Sequence, residues 1–181
     1  MKPLPLLLAL TLLVGQNLSA GTEEDKLKKA TELSAKIASF YNERTAQPAL
    51  KDNLQLHEKL AKIEARLKAL PAKEVKLRDS LLEDQAACQK QIDANQMLID
   101  WLDLYKKDSQ ALAANNYKLH AQLFEKAWDL QDNYNKLTKK PFPHPNAPFQ
   151  MELEAQKKRE AAAQKKAEAK TSKDAAAAKP S

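Results

Sequence analysis

Between Pro71 and Pro141 lie sixty-nine residues, Ala72 to Lys140, without one glycine or proline. Proline breaks a helix interior and glycine weakens it, so their joint absence over such a length leaves helix as the only regular structure the stretch supports. Unbroken, it would be a rod about 100 Å long. One seven-residue register runs along it through Leu81, Cys88, Asn95, Leu102, Ser109, Asn116, Leu123, Leu130 and Leu137. Positions four residues later, including Gln85, Ile92, Ile99 and Lys106, complete the seam. A repeat of this period implies helix packed on helix.

The rest of the chain agrees. Only Gly15 and Gly21 occur, both near the N-terminus, while Leu, Ala, Lys, Glu and Gln dominate. Hairpin-turn chemistry is missing and helix formers abound. The expected fold is all-α: an elongated antiparallel helical hairpin or bundle with coiled-coil character. It has three helices if 72–140 is continuous and four if that stretch breaks near 106–116.

Residues 1–20 read as a signal peptide. Lys2 supplies a positive start, Leu6 to Val14 an apolar run too short to span a membrane, and Gln16 to Ala20 a polar exit with small residues. Cleavage is expected after Ala20 or Gly21, and no cysteine follows to carry a lipoprotein anchor. The expected location is periplasmic in a Gram-negative bacterium and secreted otherwise.

Residues 22–140 form the expected bundle. Thr22 followed by Glu23, Glu24 and Asp25 suits a helix start. Leu27, Ala30, Leu33, Ile37, Phe40 and Tyr41 then recur at helical spacing. Pro48 predicts a kink or short break near Gln47. Leu56, Leu60, Ile63, Leu67 and Leu70 form the next stripe, ended by Pro71. That segment, bounded by prolines 23 residues apart, resembles one repeat of an exchangeable apolipoprotein, which would imply a lipid-facing helix. No second copy occurs, and packing on another helix is the reading preferred here.

Within the long stretch the apolar stripe is narrow from Leu81 to Leu102 and wide beyond Trp101. The narrow part reads as a two-helix seam, with Leu81, Cys88, Ile92, Asn95, Ile99 and Leu102 as a self-pairing candidate. A single Asn on such a seam sets register, and Cys88 invites an intermolecular disulfide in an oxidising compartment. Alternatively, both residues face the chain's own helices. The wide part predicts an aromatic core of Phe40, Tyr41, Trp101, Tyr117, Phe124 and Trp128. Asp108, Ser109, Asn115 and Asn116 lie in a polar patch able to cap helices or turn the chain. Continuity is preferred, because no Gly or Pro marks a turn and the register crosses the patch without a skip.

Pro141, Pro143, Pro145 and Pro148 make 141–149 an extended linker. It ends the helical region, and Phe142 and Phe149 are its candidate docking side chains. Residues 150–181 are Ala, Lys, Glu and Gln with little to bury, a disordered or loosely helical basic tail.

The chemistry of a catalyst is not written in this chain. His57, His120 and His144 lack metal-ligand spacing with one another or with Cys88, and no glycine loop cradles a phosphate. No catalytic residue, metal or cofactor is expected. The net charge is +6, or +5 without the leader; eight basic and five acidic residues in 150–181 account for +3 of it. A nearly balanced folded region argues against a nucleic-acid groove. The expected function is that of an exported, non-enzymatic interaction or scaffold protein of the cell envelope. Its expected partners are proteins, a second copy included, and an anionic envelope surface met by the tail. Long helical arms, a basic pI and an export signal also resemble small periplasmic holdase chaperones.

Overall fold

The computed structural model describes residues 22–177. The expected signal peptide and the last four residues of the tail lie outside the described residues. Every regular element is helical: α1 Glu23–Tyr41, α2 Gln47–Ala69, α3 Val75–Ala113, α4 Tyr117–Thr138 and α5 Asn146–Ala177. The chain falls into two units divided between Pro143 and His144.

α1 starts on a capping box. Thr22 Oγ1 accepts the Asp25 amide at 3.2 Å, and the Asp25 carboxylate accepts the Thr22 amide at 3.2 Å. The expected break at Pro48 is instead a π-helical turn, Asn42–Ala46, leading directly into α2. There the Gln47 amide reaches back five residues to the Asn42 carbonyl. The wider turn accommodates a proline that has no amide to donate and would crowd a preceding carbonyl, so the chain stays helical through it.

α2 and α3 are joined by residues 70–74, with Leu70 extended at ψ 128° and the Glu74 amide closing a turn on the Pro71 carbonyl at 3.1 Å. Arg78 donates from Nη2 to the Leu70 carbonyl at 3.2 Å, satisfying the C-terminus of α2. α3 has 39 residues, about 58 Å of helix.

The long stretch does not continue as one rod. It folds back at Ala114–Asn116, correcting the preference for continuity. The Asn115 and Asn116 amides bond to the Leu112 and Ala111 carbonyls at 2.9 and 2.8 Å, and Asn115 sits in the left-handed region at φ 55°. This is a Schellman closure with asparagine where glycine is usual. Asn116 then caps α4, its Oδ1 accepting the Leu119 amide at 3.1 Å. One dipeptide therefore ends a helix and starts the next, a turn that no glycine or proline announces.

α3 is the element the first unit is built on. Its N-terminal half packs on α2 alone, through Ile63, Leu81 and Cys88 with Leu56, Leu60, Leu67 and Leu70 beside them. Its C-terminal half packs on α1 and α4 as well, while Asn95 still bonds Asp52 of α2. From Ala94 onward a second buried set, Ala94, Leu98, Trp101 and Tyr105, joins the seam residues, matching the widening stripe of the sequence. α4 ends on Lys139 at φ 59°, with Thr138 Oγ1 donating to the Tyr134 carbonyl at 2.8 Å.

In the second unit the expected linker is shorter than 141–149, because α5 begins at Asn146 and takes Pro148 into its first turn, where a missing amide costs nothing. The Phe149 amide makes the first helical bond, to the Pro145 carbonyl at 2.9 Å. No helix among the described residues is long and apolar enough to cross a membrane.

Candidate interaction surfaces

The candidate self-pairing seam faces α2 of the same chain. Cys88 is 3% exposed among apolar side chains, so its thiol is shielded from an intermolecular disulfide in the folded chain. Asn95 donates from Nδ2 to Asp52 Oδ2 at 2.8 Å and accepts from Gln91 Nε2 at 2.9 Å. Its register-setting chemistry is thus directed within the chain, pinning α3 against α2. Leu81, Ile92 and Leu102 are buried, and Ile99 is half-buried.

A second polar seam ties α3 to α1. Ser34 donates to the Tyr105 hydroxyl at 3.3 Å and pairs with the Ser109 hydroxyl, which also bonds the Tyr105 carbonyl at 2.9 Å. Burial is the main cause that raises the Tyr105 phenol above its ordinary pKa, eased by the Ser34 bond and reinforced by Asp108. Asp108 in turn receives α4, its Oδ1 lying 2.5 Å from His120 Nδ1. Burial raises the Asp108 carboxyl, against the opposing pull of His120.

The aromatic core is real but differently composed from the expected set. Trp101 is its centre, with ring centroids 4.7 Å from Tyr41, 5.2 Å from Tyr105 and 5.5 Å from Phe142. Tyr134 meets Phe142 edge-on at 5.3 Å. Phe142, expected as a docking side chain, therefore lies in the chain's own aromatic cluster. Phe149 is buried, with 8% of its surface exposed. Three expected members are less enclosed than Tyr41 and Trp101. Phe40 lies under the Arg44 guanidinium at 5.7 Å, Tyr117 is 64% exposed and donates to Asn115 Oδ1 at 3.2 Å, and Trp128 is 42% exposed. Phe124 pairs with His120 at 6.3 Å. Tyr105 and Tyr134 complete the core; their spacing from Trp101 and Leu130 was the signal available for them.

Beside this core the space is small: a cavity of about 10 Å³ lined by Trp101, Tyr105, Asp108, Phe124, Trp128 and Gln131. It is of the order of one water and too small for an organic ligand. A shallow open groove of about 510 Å³ between α1 and the end of α3 is lined by Leu27, Thr31, Ala35 and Ala113. Among the described residues no group of three His, Cys, Asp or Glu side chains is placed to hold a metal.

What remains open is on the outside. Leu50 and Leu54, one turn apart on α2, are 54% and 63% exposed. Val75, Leu77 and Leu82 are exposed on α3. The comparisons with known proteins bring no relative to these surfaces: no family model, curated protein or solved structure matches the chain.

Proposed function

We propose that this chain is an exported, non-enzymatic helical interaction or scaffold protein of the cell envelope, and that it acts by offering a helix face to a protein partner. The observation that carries this reading is the Leu50 and Leu54 pair. α2 already has an apolar face packed on α3, so these two leucines form a separate apolar strip on which no helix lies among the described residues of the first unit. Helical partners seat side chains at this one-turn spacing. The leader-like composition of residues 1–20 supports export.

A photo-crosslinking amino acid at position 54, in chains expressed in their native host, tests the proposal. The expected result is a discrete covalent adduct that is lost when Leu50 is changed to Glu. An adduct of twice the chain mass would make the partner a second copy. Labelling no stronger than at exposed Lys62 would sink the reading.

A holdase is the second reading, favoured by large apolar side chains exposed on both α2 and α3, Leu54 and Leu82 among them. It requires that the purified chain suppress aggregation of an unfolded client, and that Leu54→Ser with Leu82→Ser reduce this effect.

A further inference from the structure

The turn between α2 and α3 combines two properties, concentrated positive charge and exposed apolar side chains. Residues 66–78, centred on Ala72, carry five Lys and Arg against Glu74 alone, a net charge of +4. The whole of 22–143 has twenty-one basic and nineteen acidic residues, so the remainder of that region is net −2. The excess positive charge of the folded unit is thus concentrated at one helical turn, flanked by the acid Asp79. Arg66, Lys68, Lys73 and Lys76 are all exposed, and the ion pairs among the described residues lie elsewhere, Lys107 with Asp103 and Lys136 with Asp132 among them.

Apolar groups stand between these cations. Pro71 and Ala72 are exposed at the turn, and in the first turn of α3 Val75 is 57% exposed and Leu77 41%. The loop is short, and Arg78 holds it by its bond to the Leu70 carbonyl. A short turn that exposes apolar side chains among cations close in sequence matches the interface of an anionic bilayer: the cations meet headgroup phosphates while the apolar side chains enter the acyl boundary. An acidic protein or nucleic acid would satisfy the cations but leave Val75 without a role.

We infer that the α2–α3 turn is a membrane-surface site for anionic phospholipid, with Lys68, Lys73 and Lys76 binding headgroups and Val75 inserting between them. This goes beyond the helix-pairing face at Leu50 and Leu54 and does not depend on it. It also places the lipid contact in the folded unit, whereas residue counting alone points to the tail.

Flotation of the full chain tests it, with vesicles of phosphatidylcholine alone and with added phosphatidylglycerol. The chain floats with the anionic vesicles only, and high salt releases it. Changing Lys68, Lys73 and Lys76 together to Gln weakens binding about a hundred-fold, at about five-fold for each charge. Changing Lys157, Lys158 and Arg159 to Gln removes the same charge from the tail and leaves binding within about five-fold of the parent. A Val75→Trp variant shows a blue-shifted emission on anionic vesicles and an unshifted one on phosphatidylcholine. All seven substituted positions are exposed, so circular dichroism of each variant matches the parent. Equal flotation of the Lys68, Lys73, Lys76 variant and the parent, or loss of flotation in the tail variant, overturns the inference. Binding to polyglutamate or DNA without binding to vesicles does so too, and assigns the turn to an acidic polymer.

Discussion

Asn115 is the residue on which the topology turns. It accepts a left-handed conformation at φ 55° in a region without glycine, so its side chain is chosen for backbone reasons. A β-branched residue there meets the full steric cost of that conformation. Asn115→Val is expected to destabilise the fold by about 1–2 kcal/mol, and Asn115→Gly to be neutral or slightly stabilising, in urea denaturation followed by circular dichroism. A cost as large for Gly as for Val would mean that the Tyr117 hydroxyl bond to Asn115, and not the backbone, is what matters. The turn was half legible in the sequence. Asn115 and Asn116 are visible as residues able to turn, but an intact heptad register argued for a straight rod. Register survives a turn whenever the helices on either side keep their apolar spacing, so it cannot by itself tell the two apart.

At the scale of elements, the two apolar sets of α2 differ in what they touch. Ile63 is buried against Leu81 and Cys88, whereas Leu54 stands in solvent. Ile63→Ala is expected to cost about 2–5 kcal/mol through lost burial and a residual cavity. Leu54→Ala is expected to fall within about 0.5 kcal/mol of the parent. Chemical denaturation of the two variants compares them directly, and a comparable loss for both would mean that Leu54 is covered in solution. The Leu56 to Leu70 stripe showed from the sequence that α2 packs on a helix. It could not show which helix, because one seam with Cys88 and Asn95 fits a neighbour in the same chain as well as one in another. In the structure the Asp52 carboxylate lies 2.8 Å from Asn95, and a residue 43 positions away has no sequence signal to connect it.

For the molecule as a whole, the first unit is unevenly stabilised. One end of α3 is held by α1 and α4, three aromatic contacts to Trp101 and two polar seams, and the other by its packing on α2. Local opening follows the number of buried contacts, so amides of residues 60–84 should exchange faster than those of residues 95–110 in native-state hydrogen exchange. Uniform protection along α3 would contradict that gradient. The less protected end is also the one that carries the basic apolar turn.

Composition and spacing by themselves determined that every regular element among the described residues is helical, because helix formers abound and glycine is absent there. They also determined where α3 changes from one partner to two, since a wider apolar stripe needs more surface to cover it. Tertiary structure alone decided the fold-back at Asn115, the π-helical passage before Pro48 and the enclosure of Cys88 and Asn95 by α2. In each case the deciding quantity is a distance between residues far apart in the chain or a backbone angle at one residue. Periodicity records neither.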